Sequence, residues 1–305
     1  MSGNSKKRQV VPFIYSAERP VFIEGATSRQ ADPLNSLLAL IFRLTGFNAR
    51  AYRDSTLKRR LELRLQATRC RKIKEYLAYI KNHPEEAFIF KENLLIHVTR
   101  FFRDRPVFTY FEQRLLPGWL NQLMASKRRR IRIWSVGCAS GQEPFTLAMI
   151  LHRPATERGL HPLILATDIS PQVLDKAREA LYSASELRYV PRHYRQIYFT
   201  EIKPKLFRLT PELRQLVNFR QHDLLQDKAP GKFDLIVCRN LLIFFRPEAQ
   251  SLLLKKLIQS LNEGGLLLLG RSERINLDSS LELVSSRFCF YRKMTNSKRR
   301  KSFFG

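Results

Sequence analysis

The sequence predicts an α/β chain in which a small helical domain precedes a doubly wound sheet, and three observations predict it. The first is the stretch Ile131–Met149. Alternating apolar residues from Ile131 to Val136 give way to Gly-Cys-Ala-Ser-Gly, then to a helical pattern with Pro144 in its first turn. Period-two alternation marks a strand, and proline suits the start of a helix. The second is the recurrence of strand-like runs at Leu163–Thr167, Leu216–Phe219 and Phe233–Cys238, each ending in polar residues: Asp168, Asp223, and Arg239 with Asn240. The third is that residues 33–98 carry helical periodicity and no strand pattern.

Residues 1–30 are basic and polar without periodicity and read as a flexible arm. A helix is expected from Pro33 to about Phe47, with Gly46 as its C-cap. A densely basic helix follows over 55–70, with Leu57, Leu61 and Leu65 on one face and Lys58, Arg59, Arg60, Arg64 and Arg69 around it. Helices at Ile73–Asn82 and Pro84–Val98 complete a helical domain over 31–105, and 106–130 link it to an α/β domain over 131–293. There Ser170 reads as the N-cap of a helix reaching Leu181. Residues 185–222 break the alternation, and Gln196–Phe199 with Leu206–Leu209 reads as a small antiparallel insert at about 195–210. Glu248–Leu261 is the crossover helix after the fourth strand. Gly264-Gly265 opens a strand at Leu266–Leu269, Phe288–Arg292 closes the sheet, and 294–305 form a basic tail.

Among 305 residues, 44% are hydrophobic, enough for a full core, yet no run approaches the ~18 apolar residues that span a bilayer. The chain is therefore expected not to be membrane-embedded. With no apolar stretch after the basic N-terminus, and four scattered cysteines (Cys70, Cys138, Cys238, Cys289), a cytoplasmic protein with reduced thiols and no metal site is expected. The net charge of +27 is shared by both halves and favours an acidic partner: nucleic acid, an anionic membrane or an acidic protein surface.

The glycine loop narrows the ligand. It reads G-x-x-x-G, without the G-x-G-x-x-G of dinucleotide sites or the G-x-x-x-x-G-K-[ST] of phosphate loops. Glu143 stands where a phosphate cradle wants no carboxylate, which favours a phosphate-free cofactor, S-adenosylmethionine. Gly137 and Gly141 are expected to let it approach the backbone. Doubly wound sheets bind ligands at the carboxyl ends of their strands, where Gly137 with Glu143, Asp168, Asp223, and Arg239 with Asn240 fall. Asp168 suits ribose hydroxyls, and Asp223 the exocyclic amine of adenine.

Beyond this, the chain resembles the CheR-type chemotaxis-receptor glutamate methyltransferases. The matching stretches are Val98-Thr99-Arg100-Phe101-Phe102-Arg103-Asp104, Arg132 to Pro144, Ala166-Thr167-Asp168-Ile169, Phe233 to Asn240, and Gly270-Arg271-Ser272-Glu273, in family order. The resemblance implies an N-terminal helical domain on a Rossmann-like S-adenosylmethionine methyltransferase domain with a small β-subdomain. By position it implies cofactor contacts from Thr99, Arg103, Glu143, Asp168, Asp223, Leu224, Arg239 and Asn240. His97 stands where many members have Asn, and Phe244 where the motif has Tyr near the methyl group. The insert at Tyr198–Leu209 lacks the glycine-rich turn of members that dock on a receptor's C-terminal peptide, so no such docking is expected.

A glutamate side chain, with a pKa near 4.3, is already an anion at neutral pH and needs alignment more than a base. Arg103 is the expected catalytic residue, holding that carboxylate through a bidentate pair. Arg60, Arg64 and Arg100 are expected to dock an acidic, glutamate-rich helix of the receptor. Two other readings compete. A nucleic-acid methyltransferase also explains the charge, although the site reads Arg239-Asn240-Leu241-Leu242 with no prolines. A non-catalytic S-adenosylmethionine-binding regulator is motivated by His97 and Phe244.

Overall fold

The structure is a computed structural model of the 305-residue chain and describes residues 32–126, 129–273, 275 and 280–295. The arm expected at 1–30, Lys127 and Arg128 of the linking run, and the last ten residues of the tail lie outside the described residues.

Four helices form the N-terminal domain: α1 (Pro33–Thr45), α2 (Asp54–Ala67), α3 (Ile73–Asn82) and α4 (Glu85–Leu94). Asp32 caps α1 by accepting the N–H of Leu34, and Gly46 ends it at φ 68°. The apolar faces meet in a core of Leu37, Ile41, Tyr76, Ile80 and Phe90, all inaccessible to solvent. One carboxylate sits inside: Glu86, 3% exposed, accepts a fork from Arg64 (2.7 and 2.7 Å) and the hydroxyl of Tyr76 (2.6 Å). A buried charge is tolerable only when paired and hydrogen-bonded in this way.

The α4 helix stops four residues before the expected Val98. From Leu95 the chain is extended and then plants Phe101 (0% exposed) and Phe102 (5%) in the core of the second domain. Helices α5 (Arg105–Tyr110) and α6 (Leu116–Ala125), joined by a π-turn at Phe111–Leu115, lead into the sheet.

That sheet holds seven strands. In chain order β1 is Arg130–Val136 and β2 is His161–Asp168; Leu181–Ser183 (β3), Phe199–Lys203 (β4) and Leu206–Leu209 (β5) form a separate insert. The main sheet continues with β6 (Val217–Gln221), β7 (Phe233–Cys238), β8 (Leu261–Leu269), β9 (Leu281–Ser285) and β10 (Phe290–Lys293). The order is β6-β2-β1-β7-β8-β10-β9, with the first five parallel and β10 antiparallel to both neighbours. Helices α7 (Gln142–Thr156), α8 (Pro171–Glu179) and α11 (Pro247–Gln259) are the main crossovers, with the short α9 (Arg192–Tyr198) and α10 (Pro211–Gln215) lying between α8 and α11 in the chain. Strand order reverses beside β1, which leaves a crevice at the carboxyl ends of β1 and β7.

Alternation along β1 sorts its side chains between two cores. Ile131 and Ile133 join α7 and the insert, whereas Trp134 and Val136 face a cluster continuous with the helical domain. The two domains therefore share one apolar core across a sheet face. A polar latch reinforces it. Arg53 donates from its backbone N–H to the Phe244 carbonyl (2.9 Å) and from Nε to that of Phe245 (3.0 Å). Arg246 reciprocates to the carbonyls of Ala51 (2.8 Å) and Tyr52 (3.0 Å), while the Tyr52 and Phe245 rings lie 4.7 Å apart.

Four local expectations are corrected. Gln196–Tyr198 is not a strand but the end of α9 (Arg192–Tyr198), because Tyr194 and Tyr198, one turn apart, both bury their rings. The insert takes its third strand from Leu181–Ser183, since α8 ends where Ala180 turns left-handed (φ 51°). Ser170 occupies the N-cap position of α8 without capping an amide; its hydroxyl donates to Glu92 and Gln172. In β8 the two glycines lie within the strand rather than before it, at a register shift against β7.

Candidate active site at the carboxyl edge of the sheet

The crevice is closed on one side by residues 94–100 with Arg103, and by Phe47 and Tyr52 of the helical domain. Its floor is the set of loops after β1, β2, β6 and β7. The loop after β1 turns on three positive φ values, at Gly137 (70°), Ala139 (46°) and Gly141 (91°). The protein's own packing favours glycine at both positions. A Cβ on Gly137 would lie 3.1 Å from Leu241, and one on Gly141 3.0 Å from the Ala177 Cβ and 3.1 Å from the Tyr182 hydroxyl oxygen. Tyr182, from the insert, donates to the Ser140 carbonyl (2.9 Å), tying the insert to this loop.

Asp168 at the end of β2 is 7% exposed. Its Oδ2 accepts the N–H of Ala139 (2.9 Å) and its Oδ1 that of Ser170 (3.1 Å), which fixes two loops against each other. The imidazole of His97 comes within 3.7 Å of Oδ1, and its Nε2 is buried without a hydrogen bond. After β6, Asp223 folds its own loop by accepting the N–H groups of Leu225 (2.8 Å) and Gln226 (3.3 Å). Lys256 of α11 supports that loop from below through the carbonyls of Leu224 (2.6 Å), Leu225 (3.3 Å) and Asp227 (2.8 Å). Burial pushes the Lys256 ammonium below its ordinary range, against the pull of Asp223 and Asp227.

The loop after β7 begins with Arg239, 6% exposed. Its Nη2 donates to Asp104 (2.6 Å), its Nη1 lies 3.5 Å from the Glu143 carboxylate, and its guanidinium covers the Phe108 ring at 5.2 Å. Burial raises the pKa of Glu143, while Arg239 and a 2.9 Å hydrogen bond from Ser135 work in the other direction. Asn240 follows in the left-handed region (φ 57°), with its Oδ1 buried and without a partner. Arg103 lines the same crevice; its Nη1 donates to the Val98 carbonyl (2.8 Å), and among the described residues it makes no salt bridge.

His97, Thr99, Arg103, Gly137, Glu143, Asp168, Asp223, Leu224, Arg239 and Asn240, all expected from the sequence, thus line one crevice, and Arg100 stands at its edge over the Tyr189 ring (4.8 Å). Arg60 and Arg64 do not. Arg64 spends its guanidinium on Glu86, so its place on a docking face is withdrawn. Arg60 is half-buried, with burial and neighbouring Arg59 lowering its pKa. Sequence reasoning missed Phe47, Tyr52 and Phe245, aromatic walls whose apolar character reads as ordinary core. It also left Glu273 without a role.

The donor set fits a polar, partly cationic cofactor. Asn240 Oδ1, Arg239 Nη1 and His97 Nε2 are buried in the crevice without hydrogen-bond partners, which a bound ligand can supply. Carboxylates at three strand ends are poor company for phosphate. A doubly wound sheet places its ligand site at this carboxyl edge, and the lining suits a phosphate-free cofactor such as S-adenosylmethionine.

The chain belongs to the CheR methyltransferase family: residues 32–95 match the all-alpha domain of CheR methyltransferase and residues 97–289 its SAM binding domain. Its cofactor is S-adenosylmethionine. It is similar to the chemotaxis protein methyltransferase of Listeria monocytogenes serovar 1/2a, 32% identical over 254 residues, which are 83% of this chain and 94% of that protein. Similar too is that of Borreliella burgdorferi, at 29% over 259 residues (83% and 92%), and that of Vibrio anguillarum, at 39% over 192 residues (61% and 68%). No helix among the described residues is long and apolar enough to cross a membrane.

Proposed function

We propose that this methyltransferase esterifies glutamate side chains on an acidic helical segment of a chemoreceptor-like signalling protein. The observation that carries the reading is Arg103, a cation on the crevice wall whose one hydrogen bond goes to a carbonyl and which forms no salt bridge among the described residues. Such a guanidinium can take an incoming carboxylate through two parallel hydrogen bonds.

S-adenosylmethionine supplies an electrophilic methyl group on a sulfonium. The chain's own residues then bind and orient. Asp168 and Asp223 would hold the ribose and adenine ends, Asn240 and Arg239 the polar groups between, and Arg103 would hold the acceptor carboxylate. The acceptor is ionised at neutral pH, so no proton has to be removed in the transfer. Phe244 lines the crevice without a hydroxyl, so the orienting of the acceptor would fall to Arg103. Arg100 and Arg60, with the +27 net charge behind them, attract the acidic helix.

The test is label transfer from S-adenosylmethionine carrying a radioactive methyl group to a glutamate-rich receptor helix and, in parallel, to RNA. A carboxylate ester releases volatile methanol in mild alkali, and label lost from the receptor helix in this way supports the reading. Alkali-stable label on protein, or label confined to RNA, contradicts it.

A further inference from the structure

Glu273 takes no part in the chemistry above, yet its carboxylate organises the loop after β7. Its Oε2 accepts the backbone N–H groups of Asn240 (2.7 Å) and Gly270 (2.7 Å). Its Oε1 accepts those of Leu241 (2.7 Å), Leu242 (2.7 Å) and Ile243 (3.3 Å). The residue is 6% exposed. Four consecutive N–H groups converging on one point form an anion cradle, and here the anion is supplied by the chain itself, from beyond β8. From the carbonyl side, Gln250 Nε2 donates to Leu242 and Phe245, each at 2.9 Å. The loop is gripped from both faces.

What the loop presents is the crevice. Asn240, held at φ 57° with Oδ1 unpartnered, together with Leu241, Phe244 and Phe245, lines the cofactor side. Gly270 makes room for the grip, since a Cβ there would lie 2.4 Å from Glu273 Oε2 and 2.9 Å from the Asn240 nitrogen. We propose that Glu273 is a positioning residue for cofactor binding: its carboxylate fixes the main chain of residues 240–243, and through it the direction in which Asn240 Oδ1 meets the cofactor.

Glu273→Gln tests this. A carboxamide keeps one acceptor oxygen and turns an NH2 group against N–H donors on the other side, so the loop has to shift while the hydrophobic cores stay intact. Binding of S-adenosylhomocysteine, measured by calorimetry, needs no methyl acceptor and is therefore independent of the substrate reading above. Kd is expected to rise about tenfold or more in Glu273→Gln, because small misplacements of a positioned group are costly. Gly270→Ala, which pushes the same carboxylate from the other side, should do likewise. Leu116→Ala, a truncation of a buried residue that does not line the crevice, should lower Tm and leave Kd unchanged. The proposal is overturned if both site variants bind within about twofold of wild type once corrected for unfolded protein. It is also overturned if neither folds, since Glu273 would then be an element of folding alone. If only Gly270→Ala folds, its Kd decides.

Discussion

Two charged side chains in the crevice make opposite demands on stability. Burial raises the pKa of the Glu143 carboxyl, with Arg239 and Ser135 only partly offsetting it. A carboxyl whose folded pKa lies above its unfolded value, about 4.3, contributes stability below that value and loses it as pH rises through the folded one. Glu143→Gln should therefore raise Tm at neutral pH, with the gain shrinking toward about pH 4, while cofactor affinity falls. Thermal unfolding between about pH 4 and 8 checks this, and a Tm difference independent of pH contradicts it. Arg103 is the contrasting case. Its hydrogen bond to Val98 is local, so Arg103→Ala should shift stability by no more than about 0.5 kcal/mol. On the proposed role of Arg103 beside the acceptor carboxylate, turnover should fall on the order of 100-fold. Steady-state kinetics alongside urea unfolding separates the two effects.

At the level of elements, magnitudes decide which contacts matter. Truncating Arg64 leaves Glu86 charged and buried, and Arg64→Ala should cost about 3–5 kcal/mol. In the latch between the domains, Arg246 reaches both the Tyr52 carbonyl and the exposed Asp54 carboxylate. The carbonyl bond is the half-buried one, so Arg246→Ala should cost about 1–2 kcal/mol. Asp54→Ala, which removes only a surface ion pair, should cost less than about 1 kcal/mol. Denaturant unfolding of the three variants ranks them, and an Asp54 effect equal to that of Arg246 contradicts the assignment. The same residues mark what was legible in the sequence. The strands β1, β2 and β7 with their polar ends announced themselves because alternation and strand-end chemistry are local patterns. Helical spacing placed Arg64 on a polar face, but its partner lies on another helix, and pairing across helices leaves no trace in periodicity. Gln196–Phe199 misled for a related reason, since apolar-polar alternation over four residues fits a strand and the end of a buried helix alike.

Across the whole molecule, the sheet's reversal point brings together loops from both halves of the α/β domain, and the helical domain closes the crevice through a shared core and the Tyr52–Phe245 contact. The site is therefore assembled from residues 47 to 245, which explains why motifs far apart in sequence converge on it. Charge acts at this scale too. A net +27 draws acidic partners over distances set by a Debye length of about 8–10 Å, so KM for an acidic acceptor should rise with added salt while cofactor affinity holds. The central claim is that the crevice orients a carboxylate already ionised and removes no proton. The measurement that tests it most directly is the pH dependence of single-turnover methyl transfer from bound S-adenosylmethionine to a glutamate-rich receptor helix. The account predicts a rate flat from about pH 6 to 9 that falls only as the acceptor approaches its pKa near 4.3. A rate that climbs steadily between about pH 7 and 9, as deprotonation of an amine or hydroxyl acceptor requires, would contradict it.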